Sequence, residues 1–151
     1  MPVHPSAARY RAHVDRGEQL RVARDGDQKE RWHLAGLERL HPETFELLAR
    51  DPDAGVRASL LLDNYRTPEH LVEQLAAESD EFAELARYHP NASCERMETG
   101  ILGRHIPTAI QSYLDRNGAT SDQRRELLAA RNDDRRDETL GSVWERISNR
   151  T

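Results

Sequence analysis

Seven histidines are the first residues to test for chemistry in this chain of 151: His4, His13, His33, His41, His70, His89 and His105. None has a partner at His-Glu-x-x-His spacing or in any other tight ligand pattern. Cys94 is the one cysteine, so no multi-cysteine metal or iron–sulfur site and no disulfide within the chain can form. It follows Ser93, a residue suited to capping a helix, where the helix dipole can lower a thiol pKa. With no His or Lys beside it in sequence, its expected role is a small packed side chain at a helix start. Gly100-Ile101-Leu102-Gly103 lacks the preceding strand and the lysine of a phosphate-cradling loop. Asp133, Asp134, Asp137 and Glu138 alternate with Arg135 and Arg136 as a solvated first helical turn would. No catalytic constellation emerges, and the expectation is a non-enzyme without metal or cofactor.

Recognition chemistry has better candidates. Tyr65 and Tyr88 fall 23 residues apart, amid Asp63, Arg66, Asp80, Glu81, Glu84 and Arg87. Aromatic side chains on a repeated surface are natural binding anchors. The expected function is therefore a non-enzymatic protein- or peptide-binding module with an acidic, tyrosine-bearing central surface. A basic or mixed-charge partner would suit it. The alternative is a nucleic-acid-associated protein using Arg124, Arg125, Arg131, Arg135 and Arg136. Glu126, Asp133, Asp134, Asp137 and Glu138 interrupt that run and cancel the basic field that nucleic acid would need.

The charge distribution points the same way. Net charge is −5. Residues 1–50, 51–100 and 101–151 carry +1, −7 and +1, so the excess acidity lies in the middle. A solvated helical face explains it most simply, and a surface for a basic partner is the sharper reading. Basic residues are 21 Arg and only Lys29, a bias that suggests a GC-rich, bacterial coding genome. The first twenty residues lack the apolar core of a signal peptide, and no run approaches the roughly 18 apolar residues of a membrane span. Cytoplasm, where thiols stay reduced, is the expected location. Oligomeric state is not readable from the sequence.

The elements needed to position these residues are helices. Only 5% of the chain is aromatic and 36% hydrophobic, and its Leu and Ala recur at helical spacing. Pro2 and Pro5 oppose helix, and Ser6 can cap a first helix bearing Ala7, Tyr10 and Val14. Gly17 weakens or ends it before Glu18–Arg24 resumes. Asp25-Gly26-Asp27 is a turn. A second helix is expected from Gln28 to Leu40, apolar enough to pack on two sides. Pro42 starts the next, carrying Phe45, Leu48 and Ala49. Asp51 is expected to cap the one that follows, with Pro52 at its first position and Val56, Leu60 and Leu61 inward. Thr67-Pro68, Ser79-Asp80, Ser93, Pro107 and Thr120 or Ser121 mark later starts, while Gly103 and Asn117-Gly118 mark breaks. A final helix is expected from Asp134 to Ile147, with Leu140, Val143, Trp144 and Ile147 as its stripe.

These elements repeat. Val22-Ala23-Arg24-Asp25, Leu48-Ala49-Arg50-Asp51 and Leu75-Ala76-Ala77-Glu78 are spaced by 26 and 27 residues. The corners His41-Pro42, Asn64-Tyr65, His89-Pro90 and Asn117-Gly118 are spaced by 23, 25 and 28. A unit of about 25 residues cannot bury its own apolar stripe, but a stack of units can. The expected fold is all-α: a short α-solenoid of about four to five degenerate two-helix repeats within one domain, 1–151. It would comprise a degenerate N-terminal repeat at 6–41, the best-preserved repeats at 42–93, and degenerate repeats with a capping helix at 94–151.

Leu48-Ala49-Arg50-Asp51-Pro52, Val56-Arg57, Asn64, Thr67-Pro68 and His89-Pro90-Asn91-Ala92-Ser93 carry a resemblance to the variant leucine-rich repeat family. The likeness is best over 42–93 and traceable over 18–41 and 94–131. The chain departs from the family's pattern at Phe82-Ala83, where a Val-Arg pair is absent, and at Ser93 and Ser121, which replace a proline. The resemblance implies a right-handed stack of short helices curving into a solenoid. It also implies that His41 and His89 replace a corner Asn and bond a nearby backbone carbonyl. The cysteine-rich iron–sulfur segment of one family member has no counterpart here. No activity follows from it, since fold alone does not give function.

Overall fold

The structure, a computed structural model, describes residues 15–150. The expected Ser6 cap and the Ala7, Tyr10, Val14 stripe lie outside the described residues. Within them the regular elements are helices, as an all-α fold requires. One isolated antiparallel bridge joins Ile101 and Thr139. The chain divides into two compact units, residues 1–75 and 76–151.

In the first unit the helices are α1 (Arg16–Asp25), α2 (Gln28–Ala35), α3 (Pro42–Ala49) and α4 (Ala54–Leu62). A fifth, α5 (Glu69–Ala76), reaches the end of the unit. They form two stacked hairpins: α1 lies on α3 and α2 on α4, with α1 beside α2 and α3 beside α4. Leu34, Ala35, Phe45, Leu48, Val56, Leu60 and Leu61 are buried.

Several boundaries differ from the sequence expectation, each because a distant side chain intervenes. Gly17 does not interrupt a helix. It sits in the first turn of α1, where its N–H donates to the Asp15 cap at 2.8 Å. The second helix stops at Ala35 rather than Leu40. Asn64 donates from Nδ2 to the carbonyls of Ala35 at 2.9 Å and Leu37 at 2.8 Å. Those are acceptors a longer α2 would have used for its own ladder. Asp51 does not cap α4. Its carboxylate is buried against Arg31, and Asp53 caps instead, accepting from Gly55 N–H.

Buried polar side chains tie the hairpins together. Gln19 donates to Arg39 O at 2.9 Å and accepts from His41 N–H at 3.0 Å and the Thr44 hydroxyl at 2.9 Å. Asn64 Oδ1 also accepts the Arg66 N–H at 3.0 Å. Twenty-five residues on, His89 uses Nδ1 to accept the Asn91 N–H at 3.0 Å. The two corners share this local turn bond, in which a side-chain acceptor takes the N–H two residues on. His41 does otherwise: it is the residue before α3 and makes no side-chain cap bond.

The second unit contains α6 (Asp80–Arg87), α7 (Cys94–Glu98), α8 (Pro107–Arg116), α9 (Ser121–Ala130) and α10 (Leu140–Ser148). Ser79, Ser93 and Thr120 cap α6, α7 and α9 through the amides of Phe82, Arg96 and Gln123. Gly118 turns with φ +62°, a conformation open to glycine at little cost. The expected long C-terminal helix from Asp134 is instead a 3-10 turn, Asp134–Asp137, followed by α10. Glu138 O accepts Leu102 N–H at 2.8 Å and Gly100 O accepts Leu140 N–H at 2.9 Å. This backbone pairing pulls 138–140 out of helical geometry, and Thr139 caps a fresh helix.

Replacing Asn64 by Ala would leave two inward carbonyls without their donor. The expected cost is about 2 kcal/mol, read as a lower urea midpoint at unchanged m-value.

Candidate functional site

The first unit holds an open cleft of about 710 Å³ between α2 and α4. An ion pair ties α2 to the turn that leads into α4. Arg31 on α2 meets Asp51 with Nε to Oδ2 at 2.7 Å, and its Nη1 donates to Gly26 O at 2.8 Å. Asp51 also accepts the Asp53 N–H at 2.9 Å, and its own carbonyl accepts from Arg57 Nη1 at 2.6 Å. A carboxylate so enclosed is stable only with such a set of donors. Gln28 Nε2 donates to Asp53 Oδ2 at 2.9 Å, the main reason that carboxyl's pKa is lowered.

Above this framework lie Trp32, His33, Gly36, Ser59 and Asp63. α2 packs against both α1 and α4, yet Trp32 on it is 51% exposed. Gly36 leaves the wall low; a Cβ there would meet the Asp63 Cβ at 3.6 Å. The Asp63 carboxylate accepts the Ser59 hydroxyl at 2.7 Å and has no ion pair among the described residues. Lys29 also lines the cleft. A half-exposed indole in one cleft with an unpaired carboxylate is chemically suited to a cationic side chain, which gains from both ring face and charge.

The residues singled out from the sequence fall in two sets. Asp63, Tyr65 and Arg66 share the exposed turn after α4 in the first unit. Asp80, Glu81, Glu84 and Arg87 lie on α6 in the second, with Tyr88 following its last turn. Asp80 and Glu81 are exposed. Glu84 pairs with Arg87, and Arg104 approaches Glu84 at 3.6 Å. Tyr88 is not a surface counterpart of Tyr65. Tyr65 is 51% exposed, whereas the Tyr88 hydroxyl accepts the Ile101 N–H at 3.1 Å and its ring lies 4.8 Å from that of His105. Trp32 is not among the residues expected from sequence, since helical spacing does not distinguish an inward ring from one that lines an open cleft.

The arginines of the C-terminal region are largely committed to neighbours. Arg124 pairs with Asp115 at 2.7 Å, Arg125 with Asp122 at 3.5 Å and Arg135 with Asp133 at 2.6 Å. Arg131 donates to His105 O at 3.0 Å. Cys94 opens the five-residue α7 and lies 3.6 Å from Asn117 Nδ2. Among the described residues no three His, Cys, Asp or Glu side chains are grouped to hold a metal ion, and no helix is long and apolar enough to cross a membrane.

Comparison with protein-family models, curated proteins and solved structures finds no match to this chain.

His105 is fully buried, with Nε2 bonded to Met97 O at 3.0 Å and Nδ1 without a partner. Burial above all, with the nearby Arg131 charge, lowers its pKa from 6.5 to about 4. The unfolded chain therefore takes up a proton at a higher pH than the folded one. This residue's contribution to stability is intact above pH 6.5 and is lost as pH falls toward 4. A His105→Gln variant should show a shallower decline in stability over that interval, measured as urea midpoint against pH.

Proposed function

We propose that this chain is a non-enzymatic helical-repeat module, of the variant leucine-rich kind, that holds a protein or peptide segment in the α2–α4 cleft. The observation that carries the reading is Trp32: a large ring half open to solvent, in a cleft it shares with Asp63, whose carboxylate has no ion pair among the described residues. The stacked hairpins of residues 16–62 and the shared turn bond of Asn64 and His89 support the repeat assignment. A partner presenting a basic side chain suits this cleft, in keeping with the chain's acidic centre. Its weight lies on Trp32, Asp63 and the adjacent Tyr65, since Glu84, Arg87 and Tyr88 are engaged within their own unit. With its one cysteine free, a reducing cytoplasm is the compartment we favour.

Panning a random dodecapeptide phage library on the folded protein tests this. Enriched peptides should carry Arg or Lys. Their affinity should drop about tenfold in Trp32→Ala, the usual scale for truncating an aromatic anchor, and several-fold in Asp63→Asn. Equal binding by wild type and both variants, with unchanged circular dichroism, would remove the assignment.

A further inference from the structure

A second cleft, of about 440 Å³, opens on the other side of the same turn. Its floor is apolar, made by Leu40, Pro42 and Phe45, and Arg39 and Arg66 stand at its rim. Most arginines described above have an acidic or carbonyl partner. Among the described residues the guanidinium groups of Arg39 and Arg66 have neither ion pair nor hydrogen bond. Glu38 also lines the cleft and offsets part of their charge, leaving an excess of one positive unit. His41 adds a second cation when protonated.

The two clefts are joined by the same two strands of chain. Gly36 lines the first and Glu38 the second; Asp63 lines the first and Arg66 the second. Asn64 clamps these strands together through Ala35 O and Leu37 O. Three peptide units separate Asp63 from Arg66, so their Cα atoms lie within about 10 Å. An extended peptide covers that distance in about three residues.

We propose that Arg39 and Arg66 bind a carboxylate side chain of the same peptide whose cationic side chain occupies the Trp32–Asp63 cleft. The partner is then a segment carrying an acidic and a basic residue about three positions apart. This inference rests on the peptide-binding reading above, and it adds a second contact point and a charge pattern. The complementarity is reciprocal among the described residues: Asp63, in a cleft that Lys29 also lines, has no ion pair and meets the base, while Arg39 and Arg66 meet the acid. A peptide with both charges of one sign would meet repulsion at one end, which is how such a surface would discriminate.

The test is an amide and indole NMR titration of the full chain with blocked peptides containing Arg-Ala-Ala-Asp, Asp-Ala-Ala-Arg and Arg-Ala-Ala-Asn. Trp32 and Trp144 are the only tryptophans, so the Trp32 indole reports the first cleft, while the Arg39, Leu40 and Arg66 amides report the second. In at least one order, the Arg/Asp peptide should move both sets of signals. It should bind roughly fivefold tighter than the Asn peptide, the scale of one well-formed surface ion pair. That difference should vanish in Arg39→Glu/Arg66→Glu, whose side chains are exposed and expendable to folding. Movement of the Trp32 indole with equal affinity for the Asp and Asn peptides would overturn the carboxylate site while leaving the Trp32 cleft standing. No movement of either set would overturn both. Movement of the second set with inorganic phosphate but not with any peptide would overturn the peptide carboxylate as its ligand.

Discussion

The side-chain amide of Asn64 holds the first unit in its working shape. By donating to Ala35 O and Leu37 O it ends α2 and fixes where the chain turns toward α3. By accepting the Arg66 N–H it also shapes the turn on which it sits. One planar group therefore determines two backbone segments at once. Those segments line both clefts, so the shape of each depends on this hydrogen-bonded side chain. A neutral hydrogen bond contributes modestly, but a stranded carbonyl is costly, which makes the arrangement all-or-none.

The second unit relies on a different set of buried polar groups. Arg116 donates to Ala92 O at 2.7 Å and Pro90 O at 3.2 Å, and its guanidinium reaches Met97 Sδ at 3.0 Å. Tyr113 is buried with its ring edge-on to Trp144, centroids 6.0 Å apart. Its phenol is pushed up in pKa by burial first, then by the Glu98 carboxylate. Gly100 completes the packing: a Cβ there would come within 2.8 Å of His105 Nε2 and 3.0 Å of Tyr88 Cε1. Short helices such as α7 have little stability of their own, and these side-chain bonds to loop carbonyls supply what the helices lack.

What the sequence disclosed was what is local. Pro42 and Pro107 at helix starts, Ser93 and Thr120 as caps, and Gly118 at its turn all act within a few residues of themselves. What it hid was decided at a distance. The end of α2 depends on a residue almost thirty positions later. The choice between Asp51 and Asp53 as cap depends on Arg31, twenty positions earlier. Tyr88 looked like a second Tyr65 until Ile101 and His105, more than ten residues on, took up its hydroxyl and ring. Of the candidate surface, Asp63 and Arg66 were named from their neighbourhood. Trp32 was not, because helical spacing alone cannot distinguish an inward stripe from one side of an open cleft.

The Arg31–Asp51 pair has a consequence for how this protein can change. Removing Arg31 leaves the buried Asp51 carboxylate without its cation, the costlier of the two single changes because Arg31 itself is partly exposed, whereas exchanging both for apolar side chains of similar volume is often tolerated. Positions 31 and 51 therefore behave as a single inherited character. A change at position 31 alone would cost stability that a matching change at 51 can return.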